Sequence, residues 1–81
     1  MMIEFSSLIE FHRKQAGLSQ IELADIAGVS RKVVQNIEGG KTSFEWRNLD
    51  ALLHVLNIRL EPTGPLVAAW RESLPQAESD E

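Results

Sequence analysis

The sequence predicts an all-α bundle of four to five short helices followed by one short C-terminal strand. Three observations predict it. Apolar residues recur at helical spacing in successive segments, Ser, Gly and Asn punctuate those segments, and a single stretch around residue 60 alternates with the period of a strand. The chain has 81 residues, room for one small core, and its 43% apolar and 25% charged residues are the balance of a chain that folds.

Phe5, Leu8, Ile9, His12 and Ala16 fall at i, i+3, i+4, i+7 and i+11, the stripe of a first amphipathic helix closed by Gly17. Ser19 with Glu22 three residues later forms a capping box, Leu23, Ala24 and Ala27 face the core, and Gly28 stops this second helix. Ser30 caps a third helix, with Val34 and Ile37 on its buried side and Gly39-Gly40 at its end. Leu49, Leu52, Leu53 and Leu56 stripe a fourth, closed by Asn57, which tolerates the left-handed conformation.

Ile58, Arg59, Leu60 and Glu61 then alternate apolar and polar before Pro62, so a short strand is expected with Ile58 and Leu60 facing inward. It has no partner strand in the chain. The economical pairing is with the same strand of a second copy in a two-fold homodimer, whose expected interface residues are Leu53, Leu56, Ile58 and Leu60. Thr63-Gly64-Pro65 breaks the chain, Pro65 suits a first helical position, and Leu66, Trp70 and Leu74 make one apolar edge of a short helix. Beyond Pro75 the polar, acidic tail is expected to be disordered.

With no cysteine there is no disulfide, thiolate zinc site or cysteine nucleophile, which fits a reducing cytoplasm. Apolar runs are too short for a membrane span, and Glu4 lies where a secretory signal is basic, so neither membrane nor export is expected. The net charge of −4 reflects the end of the chain: residues 72–81 carry Glu72, Glu78, Asp80 and Glu81 and no base. Residues 11–41 instead hold Arg13, Lys14, Arg31, Lys32 and Lys41 against Glu22, Asp25 and Glu38, a modest excess that suits an anionic partner.

His12 and His54 have no third ligand at metal spacing, so no metal is expected. Gly39-Gly40-Lys41-Thr42 imitates the end of a phosphate-binding loop but lacks the required earlier Gly, Gln35 standing in its place. Neither a nucleophile triad nor a carboxylate pair stands out, so no enzyme and no cofactor are expected.

Two short helices joined by a tight Gly-containing turn, the second opening in basic residues, is an arrangement that lays a recognition helix in the major groove of DNA. Ser19-Gln20, Glu22-Leu23-Ala24, Ala27-Gly28-Val29-Ser30, Val34, Ile37-Glu38 and Gly40-Lys41 resemble the phage-repressor, Cro/C1 or XRE class of helix-turn-helix over roughly residues 8–57. Ala24 is small enough for close crossing, Gly28 permits a positive φ, and Val29 plugs the core beneath the turn. The resemblance implies base contacts from Arg31, Lys32, Val33, Gln35 and Asn36: Arg31 or Lys32 to guanine, Asn36 to adenine, Val33 to a thymine methyl. It implies phosphate contacts from Ser19, Gln20, Ser30, Lys41, Thr42 and Ser43, although Ser19 and Ser30 serve equally as caps. Arg13 and Glu38 match family positions that pair with each other, which makes Arg13 structural.

Within that class, the run Leu56-Asn57-Ile58-Arg59-Leu60-Glu61-Pro62 after four helices resembles the ending of HipB-type antitoxins, where many repressors continue into a fifth helix. The resemblance implies a dimer that represses its own operon and binds a HipA-type serine/threonine kinase toxin. Leu66, Trp70 and Leu74 are then the expected partner contacts, with packing of Trp70 on its own dimer as the competing reading; Trp46 is open between dimer core and loop anchor. The expected organisation is a DNA-binding and dimerisation domain over residues 1–62 and a C-terminal extension over 63–81. A stand-alone repressor is the first alternative. A protein-interaction module that has lost DNA binding is the second, which the overall acidity permits and Arg31 and Lys32 oppose. The tail from Glu78 to Glu81 would compete with DNA for the basic face if it acted as an autoinhibitor.

Overall fold

Among the described residues of the computed structural model, five helices follow one another: α1 (Phe5–Gln15), α2 (Gln20–Ala27), α3 (Arg31–Glu38), α4 (Trp46–Val55) and α5 (Val67–Ser73). The structure describes residues 4–75, so the acidic tail and the disorder and autoinhibition expected of it lie outside the described residues.

The helix starts follow from the capping residues. Ser19 Oγ accepts the Glu22 N–H at 3.0 Å while Glu22 Oε1 accepts the Ser19 N–H at 2.8 Å, the reciprocal box expected at the start of α2. Ser30 Oγ accepts the Val33 N–H at 3.3 Å at the start of α3.

The ends of α1 to α4 share one device. The amide just past each turn bonds back to a carbonyl in the helix: Leu18 to Arg13 at 3.1 Å, Val29 to Ala24 at 3.0 Å, Lys41 to Asn36 at 3.0 Å and Ile58 to Leu53 at 2.9 Å. The turn residue takes a positive φ in each case, including the non-glycine Asn57 at 60°. Leu18, Val29 and Ile58 then lay an apolar side chain against the core, the hydrophobic contact of such caps. Lys41 is the exception and is exposed.

The core is Ile9 from α1, Leu23 and Ala24 from α2, Val34 and Ile37 from α3, and Leu49, Leu52 and Leu53 from α4. α3 packs on α1 and α2, and α2 also packs on α4. Each fully buried Leu, Ile or Val contributes about 1.5–3 kcal/mol over leaving it in water. Ala24 is buried with only a methyl to place, which lets α2 and α3 approach. Phe44, in the segment between α3 and α4, is half-buried and meets Phe5 edge-to-face at 5.9 Å and 86°, tying that segment to α1.

The expected strand over Ile58–Glu61 does not form: residues 58–63 are irregular and no strand is present among the described residues. The physical reason is the missing partner, since the amides of Arg59, Leu60 and Glu61 have no backbone hydrogen bond. The last helix also starts later than expected. Pro65 and Leu66 lie in a turn, Leu66 is the cap residue of α5, and Leu74 follows its last turn. No residue of α5 is buried. No helix of the described residues is long and apolar enough to cross a membrane.

Candidate nucleic-acid interface

Helix α3 is eight residues long, and burying Val34 and Ile37 decides what its other side presents. Arg31, Lys32 and Gln35 are exposed and Asn36 is half-buried. At the helical period Arg31 lies beside Gln35 and Lys32 beside Asn36, so four of the five expected base-contacting residues form two adjacent columns. Val33, the fifth, is half-buried and packs against the core. The first turn of α3 contains two cations and no acid, the reverse of what the helix dipole favours. A local preference broken on an exposed helix start is a mark of function.

A buried ion pair fixes the orientation of this helix. Arg13 Nε donates to Glu38 Oε2 at 2.6 Å, Nη2 to Oε1 at 2.9 Å, and Nη1 to the Leu18 carbonyl at 2.8 Å. The two side chains are only 10% and 5% exposed. Hydrogen bonding to Glu38 raises the Arg13 pKa above its ordinary value, outweighing the lowering by burial. The pairing agrees with the structural role that the family resemblance implies for Arg13. Because Glu38 is neutralised by Arg13, the outward charge of α3 comes from Arg31 and Lys32.

The expected phosphate-contacting residues group at the helix starts and in the segment after α3. Ser19 and Ser30 use an oxygen lone pair for capping, which leaves each O–H free to donate to a phosphate oxygen. Gln20 Nε2 donates to Glu38 Oε1 at 3.0 Å, and the second hydrogen of the same amide remains for an anion. Lys41, Thr42 and Ser43 are exposed. This geometry joins two capped short helices, an αL turn at Gly28 with φ 76°, and an exposed basic first turn.

A sequence model of the family described as Helix-turn-helix matches residues 9–62. The chain belongs to the helix-turn-helix family of Cro/C1 (XRE) type. No curated protein matches it. As a member of this family, the helix-turn-helix chain is a DNA-binding transcription regulator, and the family is a regulatory one and not an enzyme family. The matched stretch runs from α1 through Pro62, so α5 lies outside it.

The expected dimer residues of this helix-turn-helix protein are placed unequally. Leu53 is buried in the protomer's own core, Leu56 and Ile58 are half-buried at its edge, and Leu60 is exposed. Leu53, Ile58 and Leu60 line one cleft of about 410 Å³ together with Trp46, Asp50 and His54. Trp46, the first residue of α4, is 58% exposed there. Leu66 and Trp70 line a separate apolar hollow with Pro62, Pro65 and Val67, while Leu74 lies outside it. His12 Nδ1 is 2.8 Å from the Leu8 carbonyl within α1, the place of an ordinary helix residue, and no metal-holding cluster occurs among the described residues.

Two participants escaped the sequence reading. Phe44 carries one signal, an aromatic two residues before Trp46 in an otherwise polar segment. The bond from Gln20 to Glu38 carried none, because it joins side chains 18 residues apart with no periodicity between them.

Proposed function

We propose that the chain represses transcription as a symmetric homodimer, placing two copies of α3 in successive major grooves of an inverted repeat about 34 Å apart. The observation that carries the reading is the exposed first turn of α3, with Arg31 and Lys32 beside Gln35 and Asn36 on a helix locked by the Arg13–Glu38 pair. In this reading Arg31, Lys32 and Asn36 read base edges, Val33 touches a thymine methyl and Gln35 lies at the periphery. Ser19, Gln20, Ser30, Lys41, Thr42 and Ser43 hold phosphates and set the register. Residues 1–62 bind DNA and dimerise, residues 63–81 extend from that unit, and the site of action is the nucleoid in the cytoplasm.

The finer reading is an autoregulating antitoxin of HipB type. Its support is α5, which buries none of its residues and leaves Leu66, Trp70 and Leu74 for a second protein; the strand on which the resemblance rests is absent among the described residues, and a fifth helix follows instead. A HipA-type kinase toxin is the partner the resemblance implies. The test is co-purification of the chain with the product of the adjacent gene. The antitoxin reading expects a complex that Trp70→Ala weakens while DNA binding stays unchanged. A protein that binds its operator and captures no neighbour-encoded product is a stand-alone repressor.

A further inference from the structure

We infer that Glu38 is a positioning residue for DNA: it holds the Gln20 side-chain amide by one hydrogen so that the other is already set for a phosphate oxygen before the duplex arrives. The inference deepens the phosphate-holding role read for Gln20 above and rests on it.

Glu38 is out of place on its own helix. An acid as the last residue of α3 stands at the negative end of the helix dipole, where a cation is favoured. Its partners lie on other helices. Arg13 of α1 takes a lone pair from each carboxylate oxygen, at 2.6 Å and 2.9 Å, and this fork completes the ion pair by itself. Gln20, the first residue of α2, adds a third bond, to Oε1 at 3.0 Å, which charge balance does not require.

That third bond settles the amide. An ionised Glu38 only accepts, so Gln20 turns its NH2 toward it and not its carbonyl, which excludes one of the two flip states. The NH2 group is planar, so fixing one N–H fixes the direction of the other. Gln20 is half-buried while the Glu38 side chain is 5% exposed, so the amide spans from the buried acid toward the surface. A free glutamine loses rotamer freedom when it takes hold of a phosphate. Here that freedom is lost before binding, so less is lost during it. Arg13 neutralises the carboxylate, which lets an acid stand behind a phosphate contact without repelling it.

The test is a mutant cycle on the full chain, read by affinity for an unrelated DNA duplex at low salt, since a phosphate contact needs no operator. Gln20→Ala is introduced into the parent, into Arg13→Met with Glu38→Gln, and into Arg13→Met with Glu38→Leu. The two double variants are both uncharged at the pair and differ in whether residue 38 offers Gln20 an acceptor. Gln20→Ala is expected to weaken binding about fivefold where residue 38 is Glu or Gln, and less than about twofold where it is Leu. Within each background it should leave the slope of log affinity against log salt unchanged, because it removes no cation. Circular dichroism confirms helix content. A second reading needs only the parent: nitrogen relaxation of the Gln20 side-chain NH2, identified by its loss in Gln20→Ala, should be as rigid as the surrounding backbone in the absence of DNA. An equal loss in all three backgrounds, or the relaxation of a freely rotating side chain, overturns the positioning role and leaves the phosphate contact standing. No loss on Gln20→Ala in the parent overturns the positioning role together with the phosphate role beneath it.

Discussion

Arg13 and Glu38 form a two-pronged ion pair across 25 residues of sequence, with Nε 2.6 Å from Oε2 and Nη2 2.9 Å from Oε1. The pair joins α1 to the last turn of α3, and Gln20 adds the first turn of α2 to the same carboxylate. Three helices therefore converge on one buried acid at the end of α3 opposite Arg31 and Lys32. The orientation of the exposed basic turn depends on a contact remote from it.

Removing one partner leaves a buried charge unpaired. Arg13→Ala should therefore cost about 3–5 kcal/mol in urea unfolding, whereas the double replacement Arg13→Met with Glu38→Leu should cost much less. Arg13→Lys should fall between, because an ammonium cannot reproduce the fork. The Arg13 pKa is raised on folding, chiefly by its hydrogen bonds to Glu38, so its contribution is complete below the ordinary arginine value and is lost only as pH rises through the still higher folded value. Stability measured between neutral pH and pH 10 should show no titration from Arg13.

Gly28 adopts φ 76° with open space around the position a Cβ would take. Gly28→Ala should destabilise by about 1–2 kcal/mol through backbone strain alone, and Gly28→Asn by less. Thermal unfolding of the two variants checks this. Equal melting temperatures for Gly28→Ala and the parent would contradict it.

Ser30 has two roles that substitution can separate. Asp caps a helix as well as Ser but has no O–H and adds a negative charge. Ser30→Asp should hold stability within about 0.5 kcal/mol of the parent and still weaken DNA binding several-fold. Ser30→Ala should lose about 1 kcal/mol of stability as well.

Trp70 is 47% exposed on a helix that buries none of its residues. Trp70→Ala should change the unfolding free energy by less than about 0.5 kcal/mol, the range of surface substitutions. A loss of several kcal/mol would mean that α5 packs into the folded unit in solution.

The helix ends were legible because their signals are local: Ser19 and Ser30 carry their caps, and Asn57 its turn, within a few residues of the bonds they make. The exposed positions of Arg31, Lys32 and Gln35 followed from the same periodicity that buries Val34 and Ile37. What failed was what depends on something distant. The strand at Ile58–Glu61 was read from alternation, but alternation supplies only half of a ladder. Pro65 was expected to open a helix because its φ suits that position, yet the turn extends through Leu66. Leu53, which the leucine stripe places at a dimer interface, is buried in the protomer's own core and also lines the cleft beside Ile58 and Leu60. Phe44 meets Phe5 through a fold no short window contains.

Base-reading and phosphate-holding groups predict different responses to mutation. Arg31→Ala should cost about 1–3 kcal/mol on the cognate site and relax preference at one base pair in each half-site. Lys41→Ala should weaken cognate and unrelated DNA alike and reduce the slope of log affinity against log salt by about 1 per bound copy. Equal effects of both changes on every sequence would remove the division between them.

Binding of the purified chain to the DNA upstream of its own gene, titrated with salt against unrelated competitor DNA, tests the central claim most directly. The account predicts a salt-dependent complex protected over two half-sites about one helical turn apart and lost when either half-site is scrambled. Binding that is indifferent to sequence, or absent even at low salt, would contradict a repressor that reads an inverted repeat through α3.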